Sequence, residues 1–186
     1  MLDSFFPTIY DKDVAFTGLT EELFSMYVTQ LHKQQRNIII MTASLIEANN
    51  LFSSLANYTD QVLLFPMDDF LTSEAIAISP DLMISRLETL QSIETGEPKI
   101  IITNLMGYLR FLPVRKLYQQ QIISLKEEQE IPPKKLVQQL AKIGYNRQSL
   151  VTKTAEFGER GFVVDVFPIG EDHPIRIEFF GDTIDS

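Results

Sequence analysis

GYNRQSLVTKTAEFGERGFVVDVFPIGEDHPIRIEFFG, residues 144–181, alternates apolar and polar side chains between short turns. Three period-two runs stand out, Ser149–Thr154, Gly161–Phe167 and Ile175–Phe180. In a strand, residues two apart share a face, so Phe162, Val164 and Val166 align in the second run, and Ile175, Ile177 and Phe179 in the third. Pro168–Pro174 suits an antiparallel return, and glycines sit where tight turns are needed. Two arginines, Arg147 and Arg160, lie far apart in this otherwise apolar-patterned stretch.

Working upstream, Ile122–Gln129 reads as a strand. Pro132-Pro133 then opens a helix from about Lys134 to Ile143, with Leu136, Val137, Leu140 and Ile143 as its apolar stripe. Gly144 is a natural helix stop. Residues 122–186 therefore predict a small α+β domain, an antiparallel sheet covered by one helix.

Residues 1–121 have a different rhythm, short apolar runs alternating with amphipathic helices. Val14-Ala15-Phe16 is followed by a helix capped by Thr20, with Leu23, Phe24, Tyr27, Val28 and Leu31 on one face. Asn37–Met41 is continuously apolar, the pattern of a strand buried on both faces of a parallel sheet. Ser44 and Glu47 form a capping-box pattern. The helix they open buries Leu51, Phe52 and Leu55, with Ala48 at a close approach. Val62–Phe65 is a further strand, stopped by Pro66. Ser79-Pro80 opens a helix with Met83, Leu87 and Leu90 spaced at three and four, and Lys99–Thr103 is another buried strand. Met67–Ile78 has no period and reads as a long surface connection. Pro113 interrupts Asn104–Gln121, leaving room for one or two short helices. The alternation predicts an α/β layer with a mostly parallel sheet.

The chain has 186 residues, no cysteine and a net charge of −9. Without cysteine, disulfides, thiolate nucleophiles and thiolate metal sites are excluded. Residues 1–121 carry 8 basic and 14 acidic groups and residues 122–186 carry 8 and 11, so neither part is a basic surface for duplex DNA. No apolar run is long enough to cross a membrane, and the N-terminus lacks signal-peptide character. These features lead to the expectation of a cytoplasmic, monomeric protein.

The loop Thr17-Gly18-Leu19-Thr20-Glu21 stands between a strand and a helix, where a phosphate-binding loop would sit. It has one glycine and no lysine, and Glu21 and Glu22 themselves complement the positive helix end and repel a triphosphate. A cryptic ATPase using Gly18, Thr20 and Asp68 or Asp69 is the enzymatic alternative. Paired aspartates in an acidic loop are more simply read as solvated. His32 and His173 are far apart and have no ligand spacing, so no metal site and no catalytic residues are expected. Arg147 and Arg160 either pair with Glu156, Glu159 or Asp165, or project from one face of a small sheet toward an acidic partner, with Phe157 and Phe162 beside them. A single-stranded nucleic-acid binder would use Tyr145, Arg147, Phe157 and Arg160 for stacking and phosphate contact.

The ordered series Gly144-Tyr145-x-Arg147, Glu156-Phe157-x-x-Arg160-Gly161, Asp165-x-Phe167-Pro168 and Ile175–Asp182 resembles the UvrB-like module. That module is shared by the nucleotide-excision-repair protein UvrB and the N-terminal part of bacterial transcription-repair coupling factors. The weaker likeness runs through nearly the whole chain. With Glu21 where the phosphate-loop lysine would be, the chain is similar to the coupling-factor version.

The resemblance implies a non-catalytic recruitment module. Its degenerate helicase-like domain spans 1–121, and a second domain at 122–186 docks the damage-recognition protein UvrA. Arg147 and Arg160 match the first and third of three docking arginines in the family. Gly158 stands at the second, and Ala155 replaces a glycine that commonly precedes the Glu-Phe pair. The resemblance also implies a longer parent that binds RNA polymerase and double-stranded DNA and uses ATP and Mg for translocation through other domains. No cofactor is implied for these residues.

Overall fold

The computed structural model describes residue 13, residues 15–69 and residues 79–186. The chain divides into two compact units, Met1–Arg110 and Phe111–Ser186, so the division falls after Arg110 where the sequence suggested residue 121.

In the first unit, α1 (Glu21–His32), β1 (Ile38–Thr42), α2 (Leu45–Ala56), β2 (Val62–Phe65), α3 (Pro80–Ile93), β3 (Ile100–Asn104) and α4 (Leu105–Tyr108) follow in order. The strands form a wholly parallel sheet in the order β1-β3-β2. Val14 lies outside the described residues, and Ala15 and Phe16 belong to no strand. Phe16 instead sets its ring 5.1 Å from that of Tyr27. The unassigned stretch Met67–Ile78 is described only as far as Asp69.

Thr20 caps α1 by accepting from the Leu23 amide. Ser44 caps α2 by accepting from the Glu47 amide, while Glu47 reaches back to the Ala43 amide at 3.0 Å. Ala48, Leu51 and Leu55 of α2 pack with Val28, Val62, Ile100 and Ile102 into one core. Ala48 is fully buried, which explains the small side chain.

Two expectations give way here. Ile39 and Met41 of β1 are 64% and 53% exposed, so this strand is buried on one face only. Alternate positions Ile38 and Ile40 pack on the core, and the opposite side of β1 has no such cover among the described residues. On α3, Met83 is exposed and the buried residues are Arg86 and Thr89. Their polar groups go to backbone acceptors. Thr89 Oγ1 and Ser85 Oγ donate to the Leu64 carbonyl, and Arg86 donates to the Pro66 carbonyl at 2.9 Å. Among the described residues β2 is an edge strand, so α3 buries polar atoms because it supplies partners to that edge.

The second unit contains α5 (Arg115–Gln119), α6 (Pro133–Lys142), β4 (Asn146–Arg147), β5 (Glu156–Arg160), β6 (Val163–Val166), β7 (Ile175–Phe180) and β8 (Thr183–Ile184). Of the one or two short helices expected over Asn104–Gln121, α4 and α5 are both present, one on each side of Pro113. The five strands lie in sequence order, but the sheet is mixed. β4 runs parallel to β5 and every other pair is antiparallel. The β5–β6 and β7–β8 hairpins turn on Gly161-Phe162 and Gly181-Asp182, with positive φ at the glycine in each.

α6 lays Leu136 and Leu140 on a core of Phe157, Val164, Val166, Ile177, Phe179 and Ile184. Its end matches expectation. Gly144 has a φ of 101°, and the Tyr145 amide returns to the Leu140 carbonyl.

Ile122–Gln129 is not a strand. Glu128 takes a φ of 64° and the Gln129 side chain accepts from the Lys126 amide, closing a turn. Backbone bonds to the sheet begin only at Glu128 and run to Ile131, pairing with Ile184 and Asp182 of the β8 hairpin, while Ile123 and Leu125 pack on the core by their side chains. Ser149–Thr154 is likewise a turn, because β4 stops at Arg147 and the sheet resumes at Glu156.

Candidate docking face

Register decides which way the two arginines point. Arg147 pairs with Phe157, and Phe157 is 1% exposed, so Arg147 lies on the helix-covered side of the sheet at its rim. Arg160 pairs with Val163, out of phase with Phe157, and so belongs to the opposite side. The two arginines therefore do not share the single face expected from the sequence. They flank the β4–β5 edge, one on each side.

Each is held. Arg147 donates to Glu159 at 2.8 Å, an ion pair in which the arginine side chain stays 62% exposed. Glu159 is two residues from Phe157 and so shares its side, which is why it is the carboxylate in reach. Arg160 donates through a terminal nitrogen to the Ser149 carbonyl. A guanidinium has five N–H donors, so both arginines keep donors for a partner.

Gly158 lies on the same side of β5 as Arg160. A Cβ there would stand 2.8 Å from the Gln148 carbonyl oxygen and 3.4 Å from Val151. The turn after β4 occupies the space a side chain would need, so an arginine at this position is incompatible with the observed backbone. Ala155 adopts the left-handed conformation that favours glycine, with a φ of 64°. Its amide donates to the Phe167 carbonyl and its carbonyl accepts from the Asn146 amide, which hold it in that conformation.

Arg176 is the functional-looking side chain that sequence reasoning passed over. It pairs across the β6–β7 hairpin with Asp165 in a two-point contact at 2.7 and 3.1 Å. Asp165 is held below the ordinary aspartate range, first by that hydrogen bond and further by the charges of Arg176 and Arg160. Arg160, Asp165 and Arg176 thus form one charged group on the side opposite α6. Aligning the two period-two runs as a hairpin would have found the Asp165–Arg176 pair.

The aromatic residues separate by burial. Phe157 is a core residue that supports the edge from behind and presents nothing to solvent. Tyr145 is packed against the same core, and its hydroxyl accepts from the Ile169 amide. Burial pushes that hydroxyl upward in pKa. Phe162 is 64% exposed in its turn and Phe180 is 84% exposed on the open side. Of the two aromatic groups expected to stack on a nucleic acid, Phe157 is therefore buried, and Tyr145 is half-buried with its hydroxyl engaged.

The phosphate-loop position contains little chemistry. Thr17, Gly18 and Thr20 precede α1, and the Thr20 hydroxyl is engaged as its cap. Glu22 is drawn below the ordinary glutamate range by its own backbone amide and by Thr20, so a carboxylate already answers that helix end. Asp69 is exposed but is a helix cap as well as a solvated group. Both of its oxygens accept from the Leu45 amide, at 3.0 and 2.9 Å, and Oδ1 also accepts from the buried Asn104 amide group. Asn104 in turn holds the Met67 and Gly107 amides. Among the described residues no cluster of three His, Asp or Glu could hold a metal ion, and no helix is long and apolar enough to cross a membrane. A cleft of about 380 Å³ in the second unit is lined by residues such as Ser124, Gln129, Glu130, Lys135, Gln139 and Lys142.

Comparison with known proteins gives one family match, the UvrB interaction domain over residues 123–186. The chain is 27% identical over 178 residues to the transcription-repair-coupling factor of Bacillus subtilis (strain 168), and 30% over 179 to that of Staphylococcus epidermidis RP62A. Against the Staphylococcus aureus MRSA252 protein of the same name it is 31% identical over 174 residues. These alignments cover 91–94% of this chain but only 15% of the relatives' own length.

Proposed function

For a chain related to the transcription-repair-coupling factors, with a UvrB interaction domain at residues 123–186, we propose a non-catalytic recruitment role in nucleotide excision repair. The second unit is the docking module, its partner is UvrA, and the contact surface is the β4–β5 edge with Arg147 and Arg160 on its two sides. The observation that carries this reading is the coincidence of three things. The family match falls on the second unit, the two arginines expected from the family pattern lie at one edge of its sheet, and both keep donors free. Phe162 supplies exposed apolar area in the β5–β6 turn, two residues after Arg160, and Phe157 fixes the backbone beneath the edge.

The first unit, by this reading, is a helicase-like domain whose phosphate loop has lost its function. Glu22 at the start of α1 supports that, because a carboxylate satisfies the helix end a phosphate would need. The chain would work in the cytoplasm beside the repair machinery, needing no cofactor. RNA polymerase, double-stranded DNA, ATP and Mg would be handled by other parts of a longer parent. The test is a binding titration of the chain with UvrA. Saturable binding that weakens in Arg147→Ala and in Arg160→Ala supports the reading, and no binding, or unchanged affinity in both variants, contradicts it.

A further inference from the structure

After Arg147 the chain leaves the sheet and rejoins it at Glu156, and the intervening turn folds back over the side of β5 that Gly158 and Arg160 share. Five contacts fix that turn. The Gln148 amide donates to the Phe157 carbonyl at 2.8 Å, and the Gln148 carbonyl lies directly over Gly158. The Ser149 carbonyl accepts from Arg160. At the far end Glu156 accepts from the Thr152 and Lys153 amides, each at 2.9 Å, and these two bonds are the main reason its carboxyl is held below the ordinary glutamate range.

We propose that the turn over residues 148–153 is a template that aims Arg160, and that Gly158 is the specificity position that lets the template seat. A long, exposed arginine loses rotamer freedom when it binds. A backbone carbonyl already holding one of its five donors lowers that loss and leaves the rest of the fork for a carboxylate. With any side chain at 158 the Gln148 carbonyl has to move, because the contact is with backbone and not with the tip of a flexible side chain. The absent arginine at 158 and the fixed arginine at 160 are then two consequences of one turn. The proposal rests on the docking role above only for its effect on binding. Its effect on Arg160 stands alone.

Two substitutions in the full chain separate these parts. Gly158→Ala adds one carbon against the Gln148 carbonyl, and Glu156→Ala releases the far end of the turn without adding anything at 158. The first readout is the Arg160 side-chain Nε–Hε signal in ¹⁵N NMR, assigned by its loss in Arg160→Ala. It is expected to be distinct in the parent and to join the solvent-averaged arginine signals in both variants. The second is UvrA affinity, which is expected to fall roughly fivefold or more in each variant and to fall no further when Arg160→Ala is already present.

An Arg160 signal unmoved by Gly158→Ala and Glu156→Ala overturns the proposal. So do binding losses that add in full to that of Arg160→Ala, because they would come from general damage to the unit. If Gly158→Ala loses the fold by far-ultraviolet circular dichroism, Glu156→Ala carries both readouts. If the parent chain does not bind UvrA, the docking role fails, and the NMR readout alone decides the role of the turn.

Discussion

Arg147 and Arg160 are both tethered by the protein itself, yet by groups of different strength. Glu159 is a partly shielded carboxylate, whereas Ser149 offers a neutral carbonyl. Truncating either arginine is expected to cost UvrA affinity about 1–2 kcal/mol, the range of arginine contacts within an interface, as read by calorimetric titration. At Asp165 the sign of the pH effect follows from its depressed pKa. Its pairing with Arg176 contributes stability above the unfolded carboxylate pKa and loses it as pH falls through the lower folded value. The pair's contribution should therefore disappear on acidification below about pH 4. Arg176→Ala should move the Asp165 titration up toward the ordinary aspartate value, measured by carboxyl-carbon NMR. Ala155 offers a stabilising change. With a φ of 64° it bears the cost of a left-handed alanine, so Ala155→Gly should raise unfolding stability by about 0.5–1 kcal/mol in urea.

Among the elements, α3 tests how well burial of polar atoms is understood. Thr89 is nearly fully buried and its hydroxyl donates to the Leu64 carbonyl at 2.7 Å. Thr89→Val keeps the shape and removes that donor, and is expected to cost about 1 kcal/mol in urea unfolding, with Ser85 still serving the same carbonyl. This face was illegible from periodicity. Met83, Leu87 and Leu90 look like a core stripe, but the neighbouring strand is an edge whose carbonyls need donors, and that demand is set by tertiary position. The strands β1, β2 and β3, the caps of α1 and α2, and the extent of α6 were legible because each depends on local sequence. The turn at 149–154 was not, since its alternation of residue types is the same as a strand's. What makes it a turn is a left-handed Ala155 and two amides drawn to Glu156. The arginines were found as residues, but the register that sets them on opposite sides of the β4–β5 edge appears only once β4 is paired in parallel.

For the molecule as a whole, the two units have separate cores, one around Ile100 and Ile102 and the other around Phe157 and Val164. A piece spanning 111–186 should therefore give a dispersed, native-like amide NMR spectrum by itself, and collapse of that spectrum would mean its core needs the first unit. The first unit brings a helix end already answered by the Glu22 carboxylate, so equilibrium dialysis with labelled ATP and Mg should show no saturable micromolar binding. Recruitment is the central claim, and the most direct measurement is a titration of UvrA with the parent chain and with the Arg147→Ala, Arg160→Ala double variant. Saturable binding by the parent is expected, and a loss of affinity in the double variant on the order of tenfold or more, with the fold retained. Equal affinity for the two proteins would contradict it.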